Sequence, residues 1–332
     1  MLSLSVVMPC FNGAEYLADA IASVRAQTRP VREILVVDDG STDGSADLAA
    51  SLGARVLRTA GREGPAAARN LGIREASGDV IGFLDADDLW EADHCAGLLE
   101  LLDLYPDAAL AFARARTFGA HEKEMGRPVP DETARRMLHA LLQRNLIVQS
   151  AVIVRRSALL AAGGYRSDLR HAEDYDLWLR LAREHPFVGR NRFSARYRVH
   201  GTQASRNEAA LSRGACEARW RIWQAEEPGA SPEERATLKR LLLEAWERSL
   251  VIAWKVRDSG TIQSVLALHT MVPGSDAAYR RWRWRVTLLR PPWRAVAGLW
   301  DALGPSVRRR LAPLKRVVPG PAKVPKPGDG RR

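Results

Sequence analysis

The first ninety residues alternate short apolar runs with segments of helical spacing, and this alternation constrains the fold more than any other feature. Strands are predicted at 4–8, 33–37, 54–57 and 79–84, and helices at 14–26, 46–52 and 65–75. Strands that alternate with helices indicate βαβ units and a mostly parallel sheet. Near-continuous apolar strands, such as EILVV at 33–37, are typical of a sheet covered by helices on both faces. The expected fold class is therefore α/β.

The pattern loosens beyond residue 110 and then becomes helical. Strands are predicted at 108–113, 150–154 and 193–199, and helices at 131–143 and 173–184. Helical spacing then dominates at 207–226, 232–258 and 261–270. The α/β part is thus expected to be followed by a helical region.

Two acidic clusters directly follow predicted strands: Asp38-Asp39 after EILVV, and Asp85-Ala86-Asp87-Asp88 after VIGFL. In open α/β sheets, ligands bind beyond the carboxyl ends of the strands. Carboxylates gathered there repel one another unless a cation or hydrogen-bond donors offset the repulsion. Asp85 and Asp87 have the spacing to approach one hard metal ion. Taken singly, each cluster is also explained by a helix cap or a turn; together they favour a binding site.

Several longer motifs occur in a fixed order over residues 4–205: VVMPCFNGAEY, LVVDDGSTDGS, GPAAARNLGIREASGDVIGFLDADDLW, GGYRSDLRHAEDYDLWLRLA and YRVHGTQAS. In order and spacing they resemble the family 2 glycosyltransferases, the inverting family with the GT-A fold. The resemblance implies a Rossmann-like catalytic domain over 1–205, in which 1–110 binds a nucleotide sugar and 111–205 carries the acceptor site and the catalytic base. A helical region at 206–275 and a basic tail at 276–332, disordered at its end, are expected to follow.

The resemblance also implies roles for individual residues. Positions that match the family's nucleotide-sugar-binding residues are Pro9, Phe11, Glu15, Asp38, Asp39, Arg69 and Asp85. Among them, Asp39 matches the residue that holds the base or ribose, and Arg69 a basic residue on the nucleotide side of the donor. A guanidinium also suits a diphosphate chemically.

Metal and catalytic positions follow from the same resemblance. Asp85 and Asp87 form the DxD signature, which implies a Mn or Mg ion at Asp87, with Asp85 at the ribose or in the metal shell. His200 matches a further metal or diphosphate contact, and Asp174 matches the general base. Two alternatives stay open: acids are favoured at a helix start by the helix dipole alone, and a lone His after a strand is often structural.

These residue types suit sugar transfer. A divalent ion stabilises a departing diphosphate as a Lewis acid. A carboxylate that takes the proton of an acceptor hydroxyl contributes roughly 10²–10⁴-fold. The expected reaction moves one sugar from a nucleoside diphosphate sugar, UDP by family habit, to a hydroxyl of a saccharide or lipid-linked acceptor in surface glycan synthesis. A polyprenyl-phosphate acceptor, and a non-catalytic protein that binds nucleotide or glycan, are the alternatives.

Processive relatives carry a QxxRW segment and transmembrane helices. This chain has Arg219-Trp220, but Cys216 stands where Gln is expected, and no run reaches the ~18 apolar residues of a spanning helix. A non-processive enzyme is therefore expected.

The positive charge of the chain is concentrated at its C-terminal end. Residues 277–332 hold 15 Lys+Arg and 2 Asp+Glu, whereas the other 276 residues hold 35 Lys+Arg and 37 Asp+Glu. This distribution argues against a nucleic-acid-binding fold with a basic face throughout. Arg and Trp interleave in 279–289, a mixture that suits an anionic membrane surface, single-stranded nucleic acid, or packing onto the catalytic domain. The expectation is a cytoplasmic protein, peripheral at the inner face of the cell membrane, without a nucleic-acid partner.

Overall fold

A computed structural model describes residues 1–126, 136–169, 171–201, 207–226, 231–255, 259–268, 275–276, 278–280 and 282–283. The strands are β1 (Leu4–Cys10), β2 (Glu33–Asp38), β3 (Arg55–Arg58), β4 (Val80–Phe83), β5 (Leu89–Trp90), β6 (Leu110–Gly119), β7 (Glu124–Met125), β8 (Val152–Arg155) and β9 (Phe187–Val199). The helices are α1 (Ala14–Arg25), α2 (Ser45–Ser51), α3 (Pro65–Glu75), α4 (His94–Leu104), α5 (Leu138–Gln143), α6 (Arg156–Ala161), α7 (Glu173–Glu184), α8 (Glu208–Glu226), α9 (Pro232–Lys255) and α10 (Ser259–Ala267). A 3₁₀ turn, Gln149–Ala151, precedes β8.

The strands form one sheet in the order β3-β2-β1-β4-β8-β6-β9-β5, with β7 paired to β6. The first four strands are parallel, as the βαβ alternation predicts, so β1, β2 and β4 end at the same edge. β8 is antiparallel to both of its neighbours, while β6 and β9 are parallel to each other. The predicted α/β fold is confirmed, and the loops that carry the acidic clusters lie together at one sheet edge.

Both faces of the sheet are covered. Alternate residues of a strand point to opposite faces, and in β1 Val7 joins the core beneath α3 whereas Val6 and Met8 join the core beneath α1. The α3 helix approaches β1 so closely that a Cβ on Gly72 would lie 2.4 Å from Val7 Cγ1. The carboxyl edge of β1 is therefore fixed from both sides.

The second half of the domain departs from the predicted boundaries. The strand predicted at 193–199 is the end of β9, which begins at Phe187, and the strand predicted at 108–113 extends to Gly119. Of the helix predicted at 131–143, residues 131–135 lie outside the described residues, and residues 138–143 form α5. The sequence reasoning missed α4, an apolar helix in which six of eleven residues are buried and the acidic residues are confined to Glu100 and Asp103.

The predicted helical region is confirmed as α8, α9 and α10, which share an apolar core around Trp246. Trp282, at the start of the predicted basic tail, is 5% exposed and packs edge-on against Trp254 with ring centroids 5.9 Å apart. The tail thus begins by packing on α9. Almost all of the remaining tail lies outside the described residues, and so does its predicted disordered end. Within the described part of the chain, no helix is long and apolar enough to cross a bilayer.

Candidate active site

Hydrogen bonds between backbone N–H groups and side-chain oxygens join the loops after β1 and β2. Asn12 donates its backbone N–H to Ser41 Oγ (2.9 Å) and accepts the Thr42 N–H at its own Oδ1 (2.8 Å). Ser45 Oγ accepts the N–H of Gly13 at 3.0 Å. Asn12 adopts φ +50°, a left-handed conformation that Asn tolerates better than most residues. The Ser and Thr residues of the DDGSTDGS segment therefore shape the turn that carries Pro9 and Phe11.

Asp38 and Asp39 are both buried, at 4% and 5% exposure. Asp39 accepts the backbone N–H groups of Glu63 (2.9 Å) and Gly64 (2.8 Å) and the hydroxyl of Thr59 (2.9 Å). An ionised carboxylate offers about four acceptor positions, so one position of Asp39 has no partner among the described residues. Asp38 accepts the N–H of Ser41 at 3.0 Å. The pair fixes the loops that surround the nucleotide position implied by the resemblance.

Phe11 stands at the rim of this edge, 39% exposed, and the guanidinium of Arg62 lies 4.1 Å from its ring centroid. An exposed aromatic ring beside a cation can hold a planar, negatively charged ligand by stacking and charge. Glu15 is exposed at the first turn of α1 and accepts a hydrogen bond from the Tyr16 hydroxyl, which raises the Tyr16 pKa. Arg62 is a rim residue that the sequence reasoning missed, because no motif singles it out.

Arg69 connects the two halves of the domain. Its guanidinium donates to Asp85 Oδ1 (2.7 Å) and to Glu173 Oε1 (3.0 Å), and it lies 5.5 Å above the Tyr165 ring. Burial alone would lower the Arg69 pKa, but the charges of Asp85 and Glu173 outweigh it and the pKa is raised. The sequence assigned Arg69 to the nucleotide; the structure also makes it the link between the DxD loop and the start of α7.

The loop after β4 is held by bonds from β9 and from the turn before β8. Asp88 is fully buried and accepts the Ser150 hydroxyl (2.5 Å) and the backbone N–H of Arg198 (2.9 Å). The Arg198 side chain donates Nε–H to the carbonyl of Asp87 at 2.8 Å. Asp88 is thus a structural anchor, while Asp85 and Asp87 each keep about a quarter of their side-chain surface exposed, at 28%.

Asp87 and His200 meet directly, with 2.8 Å between Oδ2 and Nε2. Burial and the charge of Asp85 raise the Asp87 pKa, against the opposing effect of His200. A gap of about 3 Å between neighbouring ligands is what a six-coordinate ion with bonds of roughly 2.1 Å requires, so Asp87 and His200 suit two adjacent ligand positions. Among the described residues, no three His, Cys, Asp or Glu side chains form a metal-binding group. An ion at Asp87 would therefore draw its other ligands from substrate and water.

Asp174 lies in the first turn of α7, where its carboxylate accepts the N–H of Tyr175 at 2.7 Å. Burial, with a contribution from the charge of Glu173, raises its pKa from 3.8 to about 7. A base is most effective when its pKa lies near the working pH. Ala172, which directly precedes α7 and lies two residues before Asp174, has φ +62°, a conformation that costs a non-glycine residue roughly 1–2 kcal/mol. The backbone is thus strained where it presents Asp174.

Helix α8 holds this strained corner in place. Gly214 approaches it so closely that an added Cβ would lie 2.2 Å from the carbonyl oxygen of His171 and 3.3 Å from Ala172 Cβ. A backbone atom does not swing aside as the end of a side chain does. The C-terminal helical region therefore supports the presentation of Asp174.

Gly214→Ala is expected to displace the corner before α7. A displacement near 1 Å can reduce a reaction rate about 10²-fold, and overpacking costs about 1–3 kcal/mol, so both kcat/KM and Tm should fall. Gly97→Ala is the matched control, because its Cβ would meet the end of the Arg190 side chain (2.8 Å to Nη1) and no backbone atom. Steady-state kinetics and thermal melts of both variants would test this; equal kcat/KM for the two variants would contradict it.

The sequence also missed the residues that support the site from below. Asn70 pairs with the backbone of Tyr165 in both directions, donating at 2.8 Å and accepting at 2.7 Å. Gly164, at φ +68°, leaves room for this amide, since its Cβ would lie 2.4 Å from Asn70 Oδ1. The GGY motif therefore places Tyr165 beneath Arg69. Only the paired motifs AAARN and GGY signal this contact in the sequence.

Comparison with known proteins gives a family match for the first part of the chain. Residues 5–161, which include β1 to β8 and the DxD loop, match the family described as glycosyl transferase family 2. This part of the chain, just under half of its length, is therefore similar to glycosyl transferase family 2. The putative teichuronic acid biosynthesis glycosyltransferase TuaG of Bacillus subtilis is 35% identical to the chain over 104 residues, 30% of this chain and 41% of that protein.

Solved structures share the fold of the family 2 domain. TarS of S. aureus in complex with UDP-GlcNAc superposes with a TM-score of 0.63 over 82% of each chain, at 18% identity. Mannosyltransferase PcManGT of Pyrobaculum calidifontis, in complex with GDP-Man and Mn²⁺, superposes with a TM-score of 0.54, at 19% identity over 90% of this chain and 88% of that one. Alignments with three uncharacterized bacterial glycosyltransferases cover 65%, 33% and 64% of those proteins. The chain thus spans one third to just under two thirds of the length of these relatives.

Proposed function

We propose that this protein is an inverting, metal-dependent glycosyltransferase that moves one sugar from a nucleoside diphosphate sugar to an acceptor hydroxyl. The observation that carries the proposal is the contact of Arg69 with both Asp85 and Glu173. Through it, the DxD loop is bonded to Glu173, the residue directly before Asp174, whose carboxyl has a pKa near 7. The presence of Asp39, Asp85, Asp87 and Asp174 together favours an enzyme over a protein that only binds nucleotide or glycan, in which the loss of one of them is expected.

In this proposal, the donor nucleotide lies against the loops after β1 and β2. Phe11 and Arg62 hold the base at the rim, and the free acceptor position of Asp39 takes a base or ribose group. Pro9, Asp38 and Glu15 shape the turns around it. Asp174 then accepts the proton of the acceptor hydroxyl as that oxygen attacks the anomeric carbon from the side opposite the diphosphate. Displacement from that side inverts the configuration at the anomeric carbon.

Asp87 and His200 would hold a Mn or Mg ion, with Asp85 at the ribose or in the metal shell. Such an ion neutralises the charge that develops on the departing diphosphate. Support comes from the 2.8 Å contact between Asp87 and His200 and from the Mn²⁺ in the mannosyltransferase relative. UDP is the proposed nucleotide, since the TarS structure holds UDP-GlcNAc.

The acceptor proposed is a saccharide or lipid-linked saccharide of a surface glycan. The relative named for teichuronic acid biosynthesis supports this class; polyprenyl phosphate is the second acceptor considered. A domain over 1–205, a helical region over 206–275 and a tail over 276–332 that holds the enzyme at an anionic membrane surface complete the proposal.

Donor binding is expected to depend on a divalent ion and on Asp87. With Mn²⁺, one sugar nucleotide of a UDP, dTDP and GDP panel should raise Tm, and EDTA should abolish the rise. Asp87→Ala should lose the ion-dependent part of the shift, because the carboxylate proposed to hold the ion is gone. Asp107→Ala, which removes an exposed carboxylate outside the site, is the control. A shift of equal size with EDTA or in Asp87→Ala would overturn the proposed metal site.

A further inference from the structure

Beyond the donor site, four arginines form a row on one face of β6 and β9: Arg114, Arg116, Arg196 and Arg198, here called the arginine ladder. Arg116 lies directly opposite Arg196, and Arg198 lies opposite Phe118. Alternate residues of a strand share a face, and Ala113, Ala115 and Thr117 on the other face of β6 are buried. Like charges directly opposite each other destabilise a sheet, so the pair Arg116–Arg196 is unfavourable for the fold by itself.

The guanidinium groups of the ladder stack on two aromatic rings. The guanidinium groups of Arg114 and Arg116 each lie 4.1 Å from the Phe193 ring centroid. Those of Arg196 and Arg198 lie 4.6 and 4.5 Å from the Phe118 ring centroid. A stacked guanidinium keeps its N–H edge free for a bidentate bond to carboxylate or phosphate. The rings therefore orient the guanidinium groups and limit the entropy lost when an anion binds.

The two end members of the ladder, Arg114 and Arg198, have polar side-chain or backbone partners, whereas the central pair has no acidic partner among the described residues. Arg114 bonds Glu124 (2.7 Å) and Asn191 (3.4 Å), and Arg198 bonds the Asp87 carbonyl and lies 3.5 Å from Asp19. Arg116 and Arg196 are exposed, and no carboxylate of the described residues lies within 4.0 Å of either. Outside residues 277–332 the chain carries slightly more acidic than basic groups, so the ladder is a local concentration of positive charge.

The ladder is continuous with the donor site. Arg198 contacts the DxD loop, and His200, two residues further, contacts Asp87. From Arg198 the ladder extends along β6 and β9 over roughly 13 Å, at about 3.3 Å per residue. A ligand that lies along it therefore reaches the metal-binding loop with one end.

We propose that the arginine ladder binds an acidic saccharide, namely the anionic acceptor glycan, through carboxylate or phosphate groups carried along its chain. This rests on the proposed glycosyltransferase function. A membrane surface fits less well, because the exposed large apolar side chains of the described residues, Met1, Phe11, Leu104, Leu160 and Val251, lie outside the ladder. Nucleic-acid bases would need open aromatic faces, and each ring already carries two guanidinium groups.

The test compares Arg116→Gln/Arg196→Gln with Arg74→Gln/Arg144→Gln in the full chain. The control pair also consists of two exposed arginines and removes the same charge elsewhere. Probes are an oligogalacturonide, a phosphodiester-linked sugar-phosphate oligomer, a neutral maltooligosaccharide of equal length, and phosphatidylglycerol vesicles. Charge-assisted hydrogen bonds are strong enough for the ladder variant to bind an acidic oligomer at least about tenfold more weakly. The control pair should bind like the wild type.

We expect the affinity of the wild type for the acidic oligomers to fall steeply as the salt concentration rises, and that of the ladder variant to fall less steeply. The inference is overturned if the wild type binds neither acidic oligomer, if it binds the maltooligosaccharide equally well, or if the ladder variant loses only vesicle binding. The Mn²⁺-dependent donor shift, measured in the same variants, separates the two proposals. If the ladder variant keeps the donor shift and binds the acidic oligomers as well as the wild type does, only the ladder proposal is overturned. If the wild type shows no donor shift, the proposed glycosyltransferase function is overturned.

Discussion

Asp174→Asn is expected to reduce sugar transfer by about 10²–10⁴-fold, the usual contribution of a positioned base, while the donor-induced Tm shift survives. Asparagine keeps the size of the side chain and can still accept the N–H of Tyr175, but it cannot take up the proton of an acceptor hydroxyl. Single-turnover transfer and thermal shift with donor and Mn²⁺ would measure the two effects separately. Transfer within threefold of the wild type would remove Asp174 as the base.

The pH dependence gives this prediction a second signature. Since burial raises the Asp174 pKa to about 7, the carboxylate form is lost as pH falls below that value. The kcat/KM of the wild type should therefore rise with pH through about 7 and then level off, and the residual rate of Asp174→Asn should lack this rise. A wild-type profile that is flat from pH 5.5 to 8.5 would contradict the assignment.

Stability should change in the opposite direction to activity. A carboxyl whose pKa is raised by folding binds its proton more tightly in the folded state, so stability falls as pH rises from about 4 towards 7. Above pH 7 the wild type bears the full cost of a poorly solvated charge, and Asp174→Asn does not. The variant should therefore melt at a higher temperature than the wild type at pH 8. This gain also shows that the lost activity does not result from unfolding.

Arg69→Met is expected to have the largest effect on stability. Arg69 is 5% exposed and bonded to two carboxylates, and removing one partner from a buried ion pair costs about 3–5 kcal/mol. Without the guanidinium, the charges of Asp85 and Glu173 would also raise the Asp174 pKa further, so transfer should fall as well. Urea unfolding and kinetics at pH 8 would measure both changes.

Two further variants make the effect specific. Arg55→Met also removes an arginine with two acidic partners, Glu75 at 2.6 Å and Glu33 at 3.6 Å, but its side chain is 48% exposed. A loss of only about 0–1 kcal/mol is expected there. Arg69→Met/Glu173→Gln should regain part of the lost stability, because one uncompensated charge is gone. If Arg69→Met and Arg55→Met lose the same free energy of unfolding, the buried contacts of Arg69 with Asp85 and Glu173 stabilise the protein no more than an exposed ion pair does.

The sequence determined the parallel half of the sheet and the contents of its loops. Apolar runs, helical spacing and turn residues such as those of DDGSTDGS are local signals, so β1, α1, β2, α3 and β4 were predicted within a few residues of their observed bounds. The same local order placed Asp38-Asp39 and Asp85–Asp88 at the carboxyl ends of β2 and β4, the two parallel strands that flank β1. The positions of Asp174 and His200 came from the motif order, since no local chemistry distinguishes them from a helix-start acid and a structural histidine.

Only the tertiary structure decided which of these residues meet. Arg69 and Glu173 are 104 positions apart, and Arg198 and Asp87 are 111 apart. Such contacts depend on the antiparallel insertion of β8 and on β6 pairing with β9, neither of which has a local signal. The support of Asp174 by Gly214 and the arginine ladder arise in the same way, from packing and register between distant segments. The sequence specifies which side chains are charged. The order and pairing of the strands decide which of these charges lie close enough to neutralise one another and which stay exposed to a ligand.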